Sequence, residues 1–185
     1  MNFQKTIRYS ALAMFLHWLL AIALVAMFAV GTYMSDLPFS PWRLQLYNWH
    51  KWAGVTILTL SVLRLVWRLT HRPPALPQSI QLTMPKWQLL AHHATHGGMY
   101  ALFFIVPLVG WAYSSAAGFP VVVFGVLPLP DFVPVSKALA ALIKPWHQIT
   151  ALTLAGLVLM HVAAAFKHQW IDKDKLINRM LPGRN

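Results

Sequence analysis

The residues able to do chemistry in this chain are its histidines. There are nine of them and no cysteine, which removes disulfides, thiol chemistry and thiolate-held iron–sulfur clusters. His17, His50, His147 and His161 fall inside long apolar stretches. An ionisable side chain in hydrocarbon is costly and marks a functional position by default. Taken singly, each also has a plainer reading, a neutral imidazole bonded to a carbonyl on the next helix. The spacing argues for more. His147 and His161 are fourteen residues apart. At ~100° per residue that is about 40° short of four full turns, so both rings share nearly one helix face, with a rise of about 21 Å between them. His50 opens the second apolar stretch and His17 lies about two turns into the first. Antiparallel threading therefore sets His50 level with His147, and His17 level with His161. Two trans imidazoles are what a six-coordinate haem iron takes. A bare zinc or copper wants three or more protein ligands, and the apolar stretches hold no carboxylate to supply them. The pattern predicts two haems, each held by a pair of histidines.

Further residues fit that reading. Arg64 is fourteen residues beyond His50, so it sits level with the His17–His161 pair. A guanidinium at that depth needs an anion, and a haem propionate would serve; snorkelling to the interface is the plainer alternative. Lys51 and Lys144 flank the other pair, where they suit propionates or lipid headgroups. Gly54 and Gly156 leave space for a flat macrocycle, or for close helix packing.

These side chains need elements to position them. The chain has 185 residues, 58% hydrophobic and 10% charged, against about 25% charged in a soluble domain. Four apolar segments stand out, at 11–33, 47–69, 89–113 and 145–167. Each has the roughly 20 residues a helix needs to cross a ~30 Å hydrocarbon core. The first is too long for the apolar region of a signal peptide and shows no small-x-small cleavage site, so a retained span is expected. The expectation is a single all-α domain over 1–185, an integral membrane four-helix bundle of up-down-up-down topology enclosing two haems. "HRPPALPQ" reads as a turn between spans two and three. The connection 114–144 is Pro- and Gly-rich and apolar, expected to lie at the outer interface with "SKALAALI" as a short helix there. No internal repeat is visible.

The chain has 15 Lys and Arg against 4 Asp and no Glu. The bases cluster beside apolar runs, which points to membrane orientation and not to nucleic acid. Eleven of them (Lys5, Arg8, Arg64, Arg68, Arg72, Lys86, Lys167, Lys173, Lys175, Arg179 and Arg184) fall on the side of the two termini. Four (Arg43, Lys51, Lys137 and Lys144) fall on the other. That asymmetry predicts both termini in the cytoplasm.

Four stretches, "FLHWLLA", "NWHKWAG", "HATHGGMYALFFIVPLVGW" and "WHQ…LVLMHVAAAFKHQWIDKD", resemble the prokaryotic cytochrome b561 family over nearly the whole chain. The resemblance implies haem b ligated by His17 and His161 on the cytoplasmic side and by His50 and His147 on the periplasmic side. The family pattern includes two histidines three residues apart at the start of the third span, here His93 and His96 with His92 an additional neighbour, and it implies that His96 and His168 belong to a quinone and substrate region; His93, His96 and His168 also read as a proton relay. Lys86, Arg72 and Lys167 lie close to that region in the sequence reading. The outer connection "GFPVVVFGVLPLP" departs from that of a superoxide-oxidising member and is similar to a sister branch.

With both axial positions filled, iron has no site for oxygen, and outer-sphere electron transfer is the expected chemistry. The expected partners are membrane lipid, ubiquinone as acceptor, and superoxide or another small one-electron donor drawn to the outer bases. Two other functions are compatible with the sequence. One is a membrane-anchor cytochrome b subunit passing electrons between a partner dehydrogenase or periplasmic protein and the quinone pool. The other is a haem-free bundle in which histidines serve as polar glue. Oligomeric state is left open by the sequence.

Overall fold

The structure is a computed structural model that describes residues 8–174, 176–181 and 183. Lys5, Lys175 and Arg184, part of the charge balance, lie outside the described residues. Among these residues are four helices long and apolar enough to span a membrane. They are α1 (Ala11–Asp36), α2 (Pro41–Thr70), α4 (Lys86–Ala116) and α5 (Lys137–Phe166), with a short α3 (Gln78–Thr83) between α2 and α4. A π-helical turn, Lys167–Ile171, continues α5, and a 3-10 turn, Leu176–Arg179, follows it.

Three of the spans begin with a serine cap. The Ser10, Ser40 and Ser136 hydroxyls accept from the backbone N–H of Ala13, Arg43 and Leu139, which satisfies an otherwise orphaned donor at each helix start. Ser40 is followed by Pro41, preset for the first helical position. This cap starts α2 six residues earlier than the hydropathy pattern does. At α5 the difference is larger. "SKALAALI" is not a separate interfacial helix; it forms the cap and first two turns of the fourth span, which runs through Pro145. Proline removes one backbone donor, and transmembrane helices tolerate this where neighbouring groups take up the freed carbonyl.

The bundle is organised as two packed pairs, α1 on α2 and α4 on α5, joined where α2 meets α4. Met99, Leu102 and Phe103 of α4 and Leu154 of α5 form the buried apolar cluster, with Leu24 of α1 against it. Leu154 is midway in sequence between His147 and His161, so this cluster is a septum between the two histidine levels. Large apolar side chains such as Ile22, Val62, Ile149 and Leu152 are exposed and line neither chamber of the bundle, as expected of surfaces that face lipid.

Both ends of the chain meet at one end of the bundle. Tyr9 N–H donates to Arg179 O (3.2 Å) and the Trp18 indole to Met180 O (2.8 Å). The buried Arg179 donates to Pro74 O and Ala75 O of the α2–α3 connection. This is the base-rich end. At the opposite end the connection after α4 folds into a small antiparallel hairpin, β1 (Val122–Val123) and β2 (Leu127–Pro128). Its turn residues Phe124 and Gly125 have φ of 51° and 74°, the left-handed region that a tight turn requires and glycine adopts without strain. The Trp52 indole donates to Val122 O (2.6 Å) and Lys51 Nζ to Pro120 O (3.2 Å), so the hairpin is latched to α2.

Candidate functional site

The four intramembrane histidines meet in two pairs. His17 of α1 and His161 of α5 have ring centres 6.3 Å apart, with planes at 71°. His50 of α2 and His147 of α5 have ring centres 6.2 Å apart, with planes at 86°. The pairing is the one that depth along the helices requires. A metal–imidazole bond of about 2.0 Å on each side, plus ~1.1 Å from each nitrogen to its ring centre, sets two trans axial rings roughly 6.2 Å apart. Stacked rings pack closer, as Phe166–Trp170 at 4.8 Å, while the edge-on pair Tyr100–Phe103 reaches 6.0 Å, so the matching of the two pairs by depth carries the fit together with the separation.

A chamber of about 850 Å³ surrounds the outer pair, within the range of about 300–1,000 Å³ common to cofactor sites. Its walls are mostly apolar, including Phe28, Leu102, Phe103 and Val106, while Arg43, Tyr47 and Lys51 reach it from α2. Phe119 and Val121 line it from the segment leading into the hairpin. His147 Nδ1 is 3.1 Å from Val106 O. A carbonyl only accepts, so Nδ1 carries the proton and Nε2 is left with a lone pair. Two glycines allow this arrangement. A Cβ built on Gly110 would lie 2.8 Å from His147 Cε1, and one on Gly31 would lie 3.1 Å from His50 Cε1. On Gly54, which lines the chamber, and on Gly156, which does not, a Cβ would meet no heavy atom within 4 Å. His50 Nδ1 is buried and unpartnered.

The inner pair adjoins a second chamber, of about 440 Å³, walled by Arg8, Arg64, Arg68, Arg72 and Tyr100 among others. No carboxylate lines it. The Arg64 and Arg68 guanidiniums lie 5.6 and 5.3 Å from the centre of the Tyr100 ring. Arg64 Nη2 donates to His17 Nδ1 at 3.1 Å. That contact places a neutral His17 proton on Nε2, the nitrogen a metal would need. An iron ligand at His17 therefore requires Arg64 to release Nδ1, and an anion in the adjoining chamber would draw it away. The outer donor set fits a haem, with His50 and His147 both lining the chamber; at the inner level Arg64 links His17 to the chamber, which neither His17 nor His161 lines.

Beyond the inner pair the rings continue. His96 lies 5.0 Å from His161 and 4.3 Å from His92, centre to centre, and His92 lies 5.3 Å from His93. His96 donates from Nδ1 to His92 O at 2.8 Å. His168 is close enough to His92 to act on it electrostatically. Its own Nδ1 is 2.6 Å from Asp174 Oδ2 and 3.1 Å from Asp172 Oδ2. His93 and Lys86 are exposed near the start of α4. Lys144 is exposed on α5 and lines neither chamber, while Lys51 lines the outer one. Sequence reasoning did not single out Gly31, Gly110, Tyr100, Asp172 or Asp174. Only the last two carried a signal there: the chain has 4 acidic residues, and two of them follow His168 closely.

A membrane-spanning four-helix bundle with paired imidazoles at two depths defines a class, the membrane cytochromes b. The family model "Prokaryotic cytochrome b561" matches residues 8–183, and the chain belongs to this family of haem b-binding, electron-transferring membrane proteins. It is 34% identical over 176 residues to "Cytochrome b561 homolog 2" of Escherichia coli (strain K12), covering 94% of this chain and 91% of that one. It is 29% identical over 180 residues to "Cytochrome b561 homolog 1" of the same organism, covering 96% and 98%. It is also 26% identical over 178 residues to "Probable superoxide oxidase CybB" of Yersinia pestis, covering 95% and 96%.

Proposed function

We propose that the chain holds two haems b, one between His17 and His161 and one between His50 and His147. In this reading it carries electrons from a small one-electron donor at the outer face to ubiquinone at the inner face. The supporting observation is the ring separation, 6.3 and 6.2 Å, at two levels joined by one helix. Haem b in such sites supplies one-electron chemistry at an iron with no open coordination position.

The chain's own residues then have distinct tasks. His147 presents Nε2 because Val106 O holds its Nδ1 proton. Arg64 and Arg68 hold a propionate at the inner level, and Lys51 does so at the outer level. The Leu154, Phe103 and Leu102 septum keeps water out between the two levels. Arg43 and Lys51 give the outer mouth a positive field that attracts a small anion. His96 and His168 handle protons on the inner side, at the end of the bundle that carries both termini.

The donor we propose is superoxide, supported by the charge of the outer mouth and by the printed name of the Yersinia relative. The balance is two superoxide ions, one ubiquinone and two protons giving two O₂ and one ubiquinol. The setting is a bacterial inner membrane with both termini cytoplasmic, in keeping with the excess of bases at that end. Stopped-flow mixing with superoxide, then with ubiquinone-1, tests this. The expected result is a rise of the reduced α-band followed by its decay. Haem that superoxide leaves oxidised would overturn the donor; haem that quinone leaves reduced would overturn the acceptor.

A further inference from the structure

The His168 cluster stands apart from the iron-binding histidines. The chain has 4 acidic residues in all, and Asp172 and Asp174 both converge on the Nδ1 of His168, at 3.1 and 2.6 Å. The local backbone is built to bring them there. The π-helical turn Lys167–Ile171 closes with Asp172 N–H donating to Lys167 O, and Asp174 N–H then folds back to donate to His168 O. Single π-turns are uncommon and occur often at functional sites. Asp174 is held at both oxygens, since Leu176 N–H donates to its Oδ1 at 3.2 Å. Asp172 is shared with Lys167, whose Nζ is 2.6 Å away. The Lys167, Asp172, His168 and Asp174 side chains are 41%, 31%, 19% and 13% exposed, so the cluster grades from water toward the bundle.

Ionised carboxylates only accept hydrogen bonds. His168 Nδ1 must therefore carry a proton, and Nε2 is the position that exchanges with a substrate. We infer that Asp174, assisted by Asp172, is the positioning residue that fixes His168 as the proton donor for quinone reduction. The inference rests on the quinone reading above.

The chemistry balances. Forming one quinol takes two electrons from two outer donors and two protons from water at the inner face. As imidazolium, His168 passes its Nε2 proton to a quinone oxygen and keeps its Nδ1 proton, which it donates in a hydrogen bond to Asp174. A proton from water restores the imidazolium before the second transfer. The carboxylate stays ionised throughout, orienting the ring and stabilising its charged form, as in other histidine–carboxylate pairs. His92 of α4 lies within electrostatic reach of His168.

The test uses holoprotein reduced with stoichiometric reductant and mixed with ubiquinone-1 in H₂O and in D₂O. Asp174→Asn should keep the full haem spectrum and an unchanged KM for quinone. Its kcat should fall at least about tenfold, less than the roughly hundredfold or more that loss of the general acid itself costs, with an enlarged solvent isotope effect. Asp174→Glu should recover most of the rate, and Asp172→Asn should lose less than Asp174→Asn. Wild-type kcat in Asp174→Asn, or a raised KM with kcat unchanged, overturns the inference. His168→Ala separates the two levels of argument. If it slows oxidation while Asp174→Asn does not, the positioning role alone fails; if it leaves the rate intact, the quinone reading at this face fails with it.

Discussion

His17 and His161 stand 6.3 Å apart between ring centres, on the first and last spans of the bundle. His50 and His147 repeat the relation at 6.2 Å. Each separation is about what two imidazoles bonded to one iron require, and α5 supplies one partner to both.

The first expectation concerns stoichiometry. Under the proposed assignment His161→Ala removes a ligand from the inner level only, because His147 is about four turns away on the same helix. Pyridine haemochrome content should fall to about half, from two haems per chain to one. His147→Ala should remove the other haem, and the double variant should retain none. Full haem content in either single variant would refute the assignment.

Ring orientation gives a second. The imidazole planes cross at 71° in one pair and 86° in the other. Near-perpendicular axial rings leave the iron d-orbitals nearly degenerate. The oxidised protein should therefore give strongly anisotropic low-spin EPR signals with a large maximum g value at both sites. A rhombic spectrum typical of parallel rings would show that the bound state differs from this geometry.

Packing at the outer pair gives a third. Gly110→Ala places a methyl 2.8 Å from His147 Cε1, which must move, whereas Gly98→Ala meets only the flexible Leu157 Cδ1 at 3.0 Å. The first should cost about 1–3 kcal/mol of strain and lower occupancy of the outer haem. The second should leave both haems in place. Haem content and thermal midpoint of the two variants decide this, and equal behaviour would argue against a ligand role for His147.

Charge at the inner pair gives a fourth. Arg64 lies against His17 and over Tyr100. A nearby cation favours the reduced state, which carries one less positive charge. Arg64→Leu should lower the inner midpoint potential by about 1–2 kcal/mol of electron affinity, roughly 40–90 mV for a one-electron couple. Redox titration followed in the α-band measures it. An unchanged or raised potential would remove Arg64 from the vicinity of that haem.

The histidine pairing was legible in the sequence because helical rise converts a fourteen-residue spacing into depth, and antiparallel threading then matches levels. The spans were legible for the same reason, as runs of apolar residues. Their ends were not. Ser40 and Pro41 start α2 in a polar, aromatic stretch outside the hydropathy window, and Pro145 reads as a boundary when α5 passes through it. Gly110 and Gly31 were invisible because their role is contact with a ring on another helix. The meeting of Asp174 with His168 depends on a π-turn, which alters the residue count per turn that spacing arguments assume.

The division of the bundle into two helix pairs has its own consequence. His17 and His50 belong to the α1–α2 pair, while both of their partners stand on α5, which packs on α4. Each bound pigment would thus be a rivet between two helical hairpins that otherwise adhere mainly along one seam. Maturation should end with pigment insertion, and cells starved of porphyrin should accumulate loosely joined hairpins that proteases clear.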